Sequence, residues 1–166
     1  MKILILGVGN ILLKDEGIGV HVIRKLQENY EFPENVEVVD GGTLGLYLTA
    51  KLEEGFDLVI VVDAIKTEDK PGSVYKFSLN DIPYKFPNKI SPHEIGLFET
   101  LTLVQLKGTE FKTMIFGIVP KEIKTWGMEY SEELEEGVNK VVKMILEALK
   151  EMKIDFKVKK LNYVLD

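Results

Sequence analysis

Two stretches of the chain carry apolar residues without alternation: "ILIL" within Met1–Leu6 and "LVIVV" within Asp57–Ala64. A strand covered on both faces reads this way. "VEVVD" (Val36–Asp40) and "KTMIFGIVP" (Lys112–Pro120) predict two further strands, and the alternating "SVYKFSL" (Ser73–Leu79) predicts a less buried one. Between these runs the period changes to that of a helix. Ile18, Val22 and Leu26, with Ile23 beside them, form the inner stripe of a helix over about Asp15–Asn29. A second helix is expected over Leu44–Leu52, and a third from near Pro92 to Leu106, with Ile95, Phe98, Thr102 and Gln105 along it. Ser131 reads as the N-cap of the last helix, with an acidic first turn behind it and Val138, Val141, Val142, Ile145 and Leu149 as its core face. Pro83, Pro87 and Pro92 mark an irregular stretch. Strands alternating with helices predict an α/β sandwich with a mainly parallel sheet. Residues 1–153 form one domain in this reading. Residues 154–166 are expected to be a loosely attached extension, with Phe156–Asp166 alternating enough to add an edge strand or contact a neighbour as the other reading.

Composition narrows the chemistry more than the fold. The 166 residues suit one core, and a formal charge of −6 disfavours nucleic-acid binding and a basic membrane-binding surface. No apolar run reaches membrane-spanning length and residues 1–6 are too short for a signal core, so no membrane insertion and a cytoplasmic location are expected. The chain has no cysteine and two histidines, His21 and His93. Disulfides, thiolate metal sites and a cysteine nucleophile are therefore excluded, leaving carboxylates, hydroxyls, backbone amides and imidazole.

The loop after the first strand, "GVGNILLKDEGIG" (Gly7–Gly19), starts like a dinucleotide-binding turn. The fingerprint needs a third glycine where Leu12 stands, and Asp15 and Glu16 would repel a pyrophosphate at the helix start. Asp40 could imitate the ribose-binding acid, but the helix would start only after Leu13-Lys14, too late for the dinucleotide geometry, and no Gly-Lys-Ser/Thr follows to make a Walker loop either. Read locally, Glu16 complements a helix dipole. Its position near the carboxyl edge of the first strand, where open α/β sheets gather their ligands, gives it a second reading.

Asp63 closes the central strand after five apolar residues, and turn capping and facing the ligand crevice are equally open to it. His93 lies in "SPHEIG" at a helix start, where local capping is the stronger reading of the residue alone. His21, one residue before core Val22, is expected to be partly exposed and is the weaker candidate. Glu16, Asp63 and His93 come from three segments that can meet at one sheet edge. Two carboxylates and an imidazole suit Zn²⁺, Ni²⁺ or a related divalent ion, with positions left open for water or substrate. Spacing alone does not establish that they converge.

Four ordered motifs, "GVGNILLKDEGIG", "VVDGGT", "VVDA" and "KISPHEIGL", resemble those of the nickel-iron hydrogenase maturation endopeptidases, and the likeness continues through "GIVP" (Gly117–Pro120) and the last helix. The resemblance implies a three-layer α/β/α sandwich with a mostly parallel, twisted sheet of about five strands. It implies an endopeptidase that removes a C-terminal peptide from the nickel-loaded large-subunit precursor of a nickel-iron hydrogenase. Carried over by motif, Glu16, Asp63 and His93 are the catalytic and metal-binding set, with the substrate's nickel as recognition element and another divalent ion, such as zinc or cadmium, accepted at the same place. Asp40, Gly41, Gly42 and Thr43 match the family's D-G-G-T and are implied to bind substrate, although Asp40 could equally satisfy a turn. The rival readings are a non-enzymatic Rossmann-like nucleotide- or metal-binding module and, by analogy of fold, an aminopeptidase-like metalloenzyme. A serine mechanism through Ser91 and His93 has no orienting acid and poor geometry. The oligomeric state is not expressed in the sequence.

Overall fold

β1 (Ile3–Gly7), β3 (Val36–Asp40), β4 (Leu58–Ala64) and β6 (Lys112–Ile118) pair in parallel, and β5 (Val74–Phe77) closes one edge antiparallel to β6, giving the order β3-β1-β4-β6-β5. This is a computed structural model; it describes residues 1–43, 46–81 and 92–159, with backbone alone at 46 and 92–95. Every residue of β1 and β4 is buried, as unbroken apolar strands covered on both faces must be.

The helices are α1 (Ile18–Asn29), α2 (Leu46–Leu52), α3 (Pro92–Leu106) and α4 (Glu135–Glu151). Strand alternation sends Ile3, Ile5, Ile60 and Val62 to one face, where they meet Ile18, Val22, Ile23 and Leu26 of α1 and Val138, Val141, Ile145 and Leu149 of α4. Leu4, Leu6, Val59 and Val61 go to the other face and meet Leu48 and Leu52 of α2 and Leu97, Phe98, Leu101 and Val104 of α3. The result is the three-layer α/β/α sandwich around a mostly parallel five-stranded sheet.

Three expectations change in detail. The buried stripe of α3 is Leu97, Phe98, Leu101 and Val104; Thr102 is exposed and Gln105 only partly covered, while the side chain of Ile95 lies outside the described residues. The helix is apolar nearly all round, so periodicity alone did not fix its inner face. Ser131 occupies the position before a 3-10 turn (Glu132–Leu134) that leads into α4, but its hydroxyl makes no cap. Instead it donates to Asp15 Oδ2 at 2.8 Å. Finally, the described part of the C-terminal extension is tied down. β7 (Lys157–Val158) pairs antiparallel with β2 (Tyr30–Glu31), and Phe156 packs edge-on against Tyr30 with ring centroids 5.8 Å apart. These residues form a two-stranded ribbon apart from the five-stranded sheet. Pro83, Pro87 and Ser91 lie outside the described residues.

Candidate active site at the carboxyl edge of the sheet

β1 leads through α1 to β3 on one side and lies against β4 on the other, so the strand order reverses between β1 and β4. The crevice beyond their carboxyl ends is where such sheets bind ligands. Gly7 stands in register with both Asp40 and Val62, which puts the ends of three strands side by side.

The loop leaving β1 turns its amides inward. Val8 N–H donates to Val62 O at 2.9 Å, Gly9 N–H to Gly42 O at 2.7 Å, and Asn10 N–H to Glu16 Oε2 at 2.7 Å. The Asn10 side chain accepts from Leu12 N–H at 3.0 Å and its carbonyl from Leu13 N–H at 3.1 Å. A phosphate loop must offer these donors to a ligand. Here protein acceptors take them, so they are not offered to a phosphate. Gly9 is needed for another purpose: its φ is +134°, and a Cβ would lie 2.0 Å from Glu16 O. The loop is folded against the 3-10 turn Lys14–Gly17 that carries Glu16.

Asp15 and Glu16 occupy adjacent positions and different environments. Glu16 is half-buried, held by Asn10 N–H through one oxygen, on a turn that lies against β4. Asp15 is fully buried. Its Oδ2 accepts from Lys121 N–H and Glu122 N–H, each at 2.9 Å, and from Ser131 Oγ; its Oδ1 accepts from Ser131 N–H at 2.6 Å. The sequence reading gave Asp15 only a place in the acidic pair at the helix start. Its partners lie 106 to 116 residues away, so no local signal could have found them.

Asp63 is 5% exposed at the end of β4, opposite Gly117 of β6, and its Oδ1 accepts Ala64 N–H at 2.8 Å. It shares parity with Val59 and Val61, so its side chain faces the α2/α3 layer. α3 packs on that same face through Leu97, Phe98, Leu101 and Val104, and His93 lies in its first turn. The His93 side chain is outside the described residues.

Asp40 ends β3 exposed, accepts Gly42 N–H through Oδ1 at 2.9 Å and lies 4.0 Å from the Arg24 guanidinium. These are the contacts of a turn-forming acid. Gly41 N–H donates to Gly7 O at 2.8 Å, Gly42 adopts φ +53° with open space where a Cβ would project, and Thr43 is exposed. The D-G-G-T turn thus borders the crevice beside the Gly7–Gly9 loop.

His21 lies on the α1/α4 side. Its Nε2 is buried without a hydrogen-bond partner among the described residues, and its ring meets Tyr130 edge-on at 5.1 Å. Burial first, then the Arg24 charge, hold the imidazole below its ordinary 6.5, against a smaller pull from Asp15. Tyr130 donates to Glu135; burial, then that bond, raise the phenol well above its usual range.

This combination of fold and carboxyl-edge acids defines a class when set beside known proteins. A family model described as HycI, hydrogenase maturation protease, matches residues 20–148. The Hydrogenase 2 maturation protease of Escherichia coli K12 is 34% identical over 157 residues, covering 93% of this chain and 94% of the relative. The structure of the hydrogenase maturating endopeptidase HybD from E. coli superposes with a TM-score of 0.85 at 34% identity, over 96% of this chain and 98% of that one. HybD from Thermococcus kodakarensis, a [NiFe] hydrogenase maturation protease, gives 0.74 at 33% identity over 89% and 99%. The chain belongs to the hydrogenase maturation protease family and is an endopeptidase. The nucleotide-binding and other non-enzymatic readings of the first loop fall with that result.

Proposed function

We propose that the protein removes a C-terminal peptide from the large-subunit precursor of a nickel-iron hydrogenase once nickel has been inserted, and that Glu16, Asp63 and His93 ligate that nickel. What supports this reading is the placing of two acids near the β1/β4 switch point, together with the family match. The Glu16 turn lies against β4, Asp63 is the next-to-last residue of β4, and α3, whose first turn carries His93, packs on the sheet face to which Asp63 points. Two carboxylates and an imidazole are a fitting donor set for a divalent first-row ion, and the ion belongs to the substrate. Zinc or cadmium would compete for the same donors.

Holding the substrate's metal fixes the scissile bond relative to the enzyme, which converts recognition into positioning. The metal then polarises the carbonyl or activates water, or one of the two carboxylates serves as general base. Asp40, Gly41, Gly42 and Thr43 would receive the extended segment next to the cleavage point; the open space over Gly42 leaves room for a backbone there. Processing that depends on nickel makes cleavage wait until loading is complete.

The test pairs nickel-loaded with nickel-free precursor. Cleavage of the loaded form alone is expected; equal cleavage of both would refute metal gating. Alanine at Glu16, Asp63 or His93 is expected to reduce processing by at least about 10²-fold, with circular dichroism unchanged.

A further inference from the structure

Eight large apolar side chains are exposed among the described residues, and three of them, Leu12 (44%), Trp126 (73%) and Met128 (60%), stand on two segments that are joined to each other. Gly127 N–H donates to Leu12 O at 2.8 Å, and Lys14 N–H donates to Gly127 O at 2.9 Å, making an isolated parallel bridge between Leu13 and Gly127. Leu12 is thereby placed beside Trp126, with Met128 one step further along.

Burying these side chains is not what shapes the two segments. The Asp15 carboxylate does that, by clasping Lys121, Glu122 and Ser131 on both sides of the 123–130 stretch. A pinned loop therefore holds the chain's only tryptophan, a methionine and a leucine out in water. Trp and Met are the side chains enriched in the centres of protein interfaces, and an exposed cluster of them is relieved by a partner. Among the nearby charges Lys121 pairs with Glu133 at 3.0 Å and Glu122 Oε1 accepts Lys124 and Thr125 N–H at 3.0 and 3.2 Å, while the side chains of Lys124 and Glu129 are exposed on the same stretch. The surface offers apolar contact flanked by charge.

Leu12 lies on the same loop as the candidate site, two residues beyond Asn10, whose N–H holds Glu16. We propose that Leu12, Trp126 and Met128 form the docking platform for the folded precursor, receiving an apolar projection of that protein while its scissile segment lies along the Glu16–Asp63 crevice. This inference rests on the function proposed above. A few ligating side chains cannot by themselves recognise a folded protein, for which stable interfaces typically cover about 800 Å² on each partner. A second copy of this chain fits the position less well. A two-fold contact would place this patch on its own counterpart and close the mouth of the crevice in both copies.

Trp126 gives the experiment a single probe. The protease labelled with 5-fluorotryptophan has one ¹⁹F resonance, because the chain has one tryptophan. Adding unlabelled nickel-loaded precursor is expected to shift or broaden that resonance saturably. The double variant Trp126→Ala/Met128→Ala is expected to raise KM for the precursor about ten-fold, with kcat within two-fold and an unchanged thermal midpoint, and Trp126→Phe to recover most of the loss. Val158→Ala, which removes an exposed apolar group at the opposite end of the molecule, is expected to alter neither quantity. A resonance that stays still at saturating precursor, together with an unchanged KM, overturns the platform while leaving the cleavage function standing. A resonance that moves with protease concentration alone, with dimers in sedimentation, assigns the patch to a second copy and also overturns it. If the wild-type protein cleaves no precursor, the proposed function fails, and the ¹⁹F titration alone decides whether the platform binds it.

Discussion

The buried carboxylate of Asp15 collects two turn amides and both donors of Ser131 at distances between 2.6 and 2.9 Å. Glu16, one peptide further on, accepts a single amide. Hydrogen bonds to a buried charge contribute more than neutral ones, and deleting the acceptor strands its donors. Asp15→Ala is therefore expected to cost about 3 kcal/mol or more, read as a lowered urea midpoint. Glu16→Gln keeps an oxygen for Asn10 N–H and is expected to stay within about 1 kcal/mol of the parent while losing precursor cleavage. The two substitutions separate structural from functional acid at neighbouring positions. His21 gives a second residue-scale expectation. Its folded-state pKa is lowered, chiefly by burial, so below 6.5 the unfolded chain binds more protons at this position than the folded one. Stability from the neutral imidazole is present above 6.5 and is lost as pH falls toward the lowered value. The charges facing it are Arg24 on its own helix, Asp15 on the preceding turn and, through Tyr130, Glu135 on α4. His21→Phe is expected to flatten the urea-midpoint profile between pH 7.5 and 5; an identical slope in the variant would place the proton uptake elsewhere.

At the scale of elements, the β1–loop–α1 unit sets the site because α1 begins almost in contact with β4. A Cβ on Gly19 would lie 2.1 Å from Val62 O and 2.6 Å from Val8 O, so the first turn of α1 can approach the strand ends only without a side chain there. Gly19→Ala is expected to destabilise by roughly 3 kcal/mol and to displace the Glu16 turn. Gly42→Ala faces open space and bears only the left-handed backbone, about 1 kcal/mol; denaturant midpoints of the pair give the comparison. The strands and the stripes of α1 and α4 were legible because burial on one or both faces writes a period into neighbouring residues. The carboxyl-edge positions of Glu16 and Asp63 were legible for the same reason, since each follows a recognisable strand. What sequence spacing could not express is pairing across distance. The clasp of Asp15, the antiparallel docking of β5 and the β2–β7 ribbon each join segments with no local signature of one another. The Asp40 turn was read both ways, and its observed contacts are those of the turn.

Across the whole molecule, the two ends of the parallel sheet have separate tasks. Crossover helices run antiparallel to the strands, so the carboxyl edge receives the first turns of α1 and α2 together with the β1 loop. α1 ends at the amino edge, where Tyr30 and Glu31 pair with Lys157 and Val158. There Phe156 sits among Tyr30 and Phe32 at 5.8 and 6.1 Å, the Lys150 ammonium lies 5.8 Å from its ring, and Lys159 N–H donates to Asn29 O at 2.9 Å. This ribbon seals the bottom of the α1/α4 layer, and nothing described in it reaches the crevice. Phe156 is only partly covered, so its truncation forfeits part of an aromatic burial term, on the order of 1–2 kcal/mol. In a chain of this size that corresponds to a fall in thermal midpoint of roughly 2–8 °C. Phe156→Ala is accordingly expected to lower the midpoint by that amount and to leave kcat/KM for the nickel-loaded precursor unchanged when both are assayed well below the transition. A loss of processing without a loss of stability would mean that the amino edge takes part in substrate handling and that the division between the two ends is wrong.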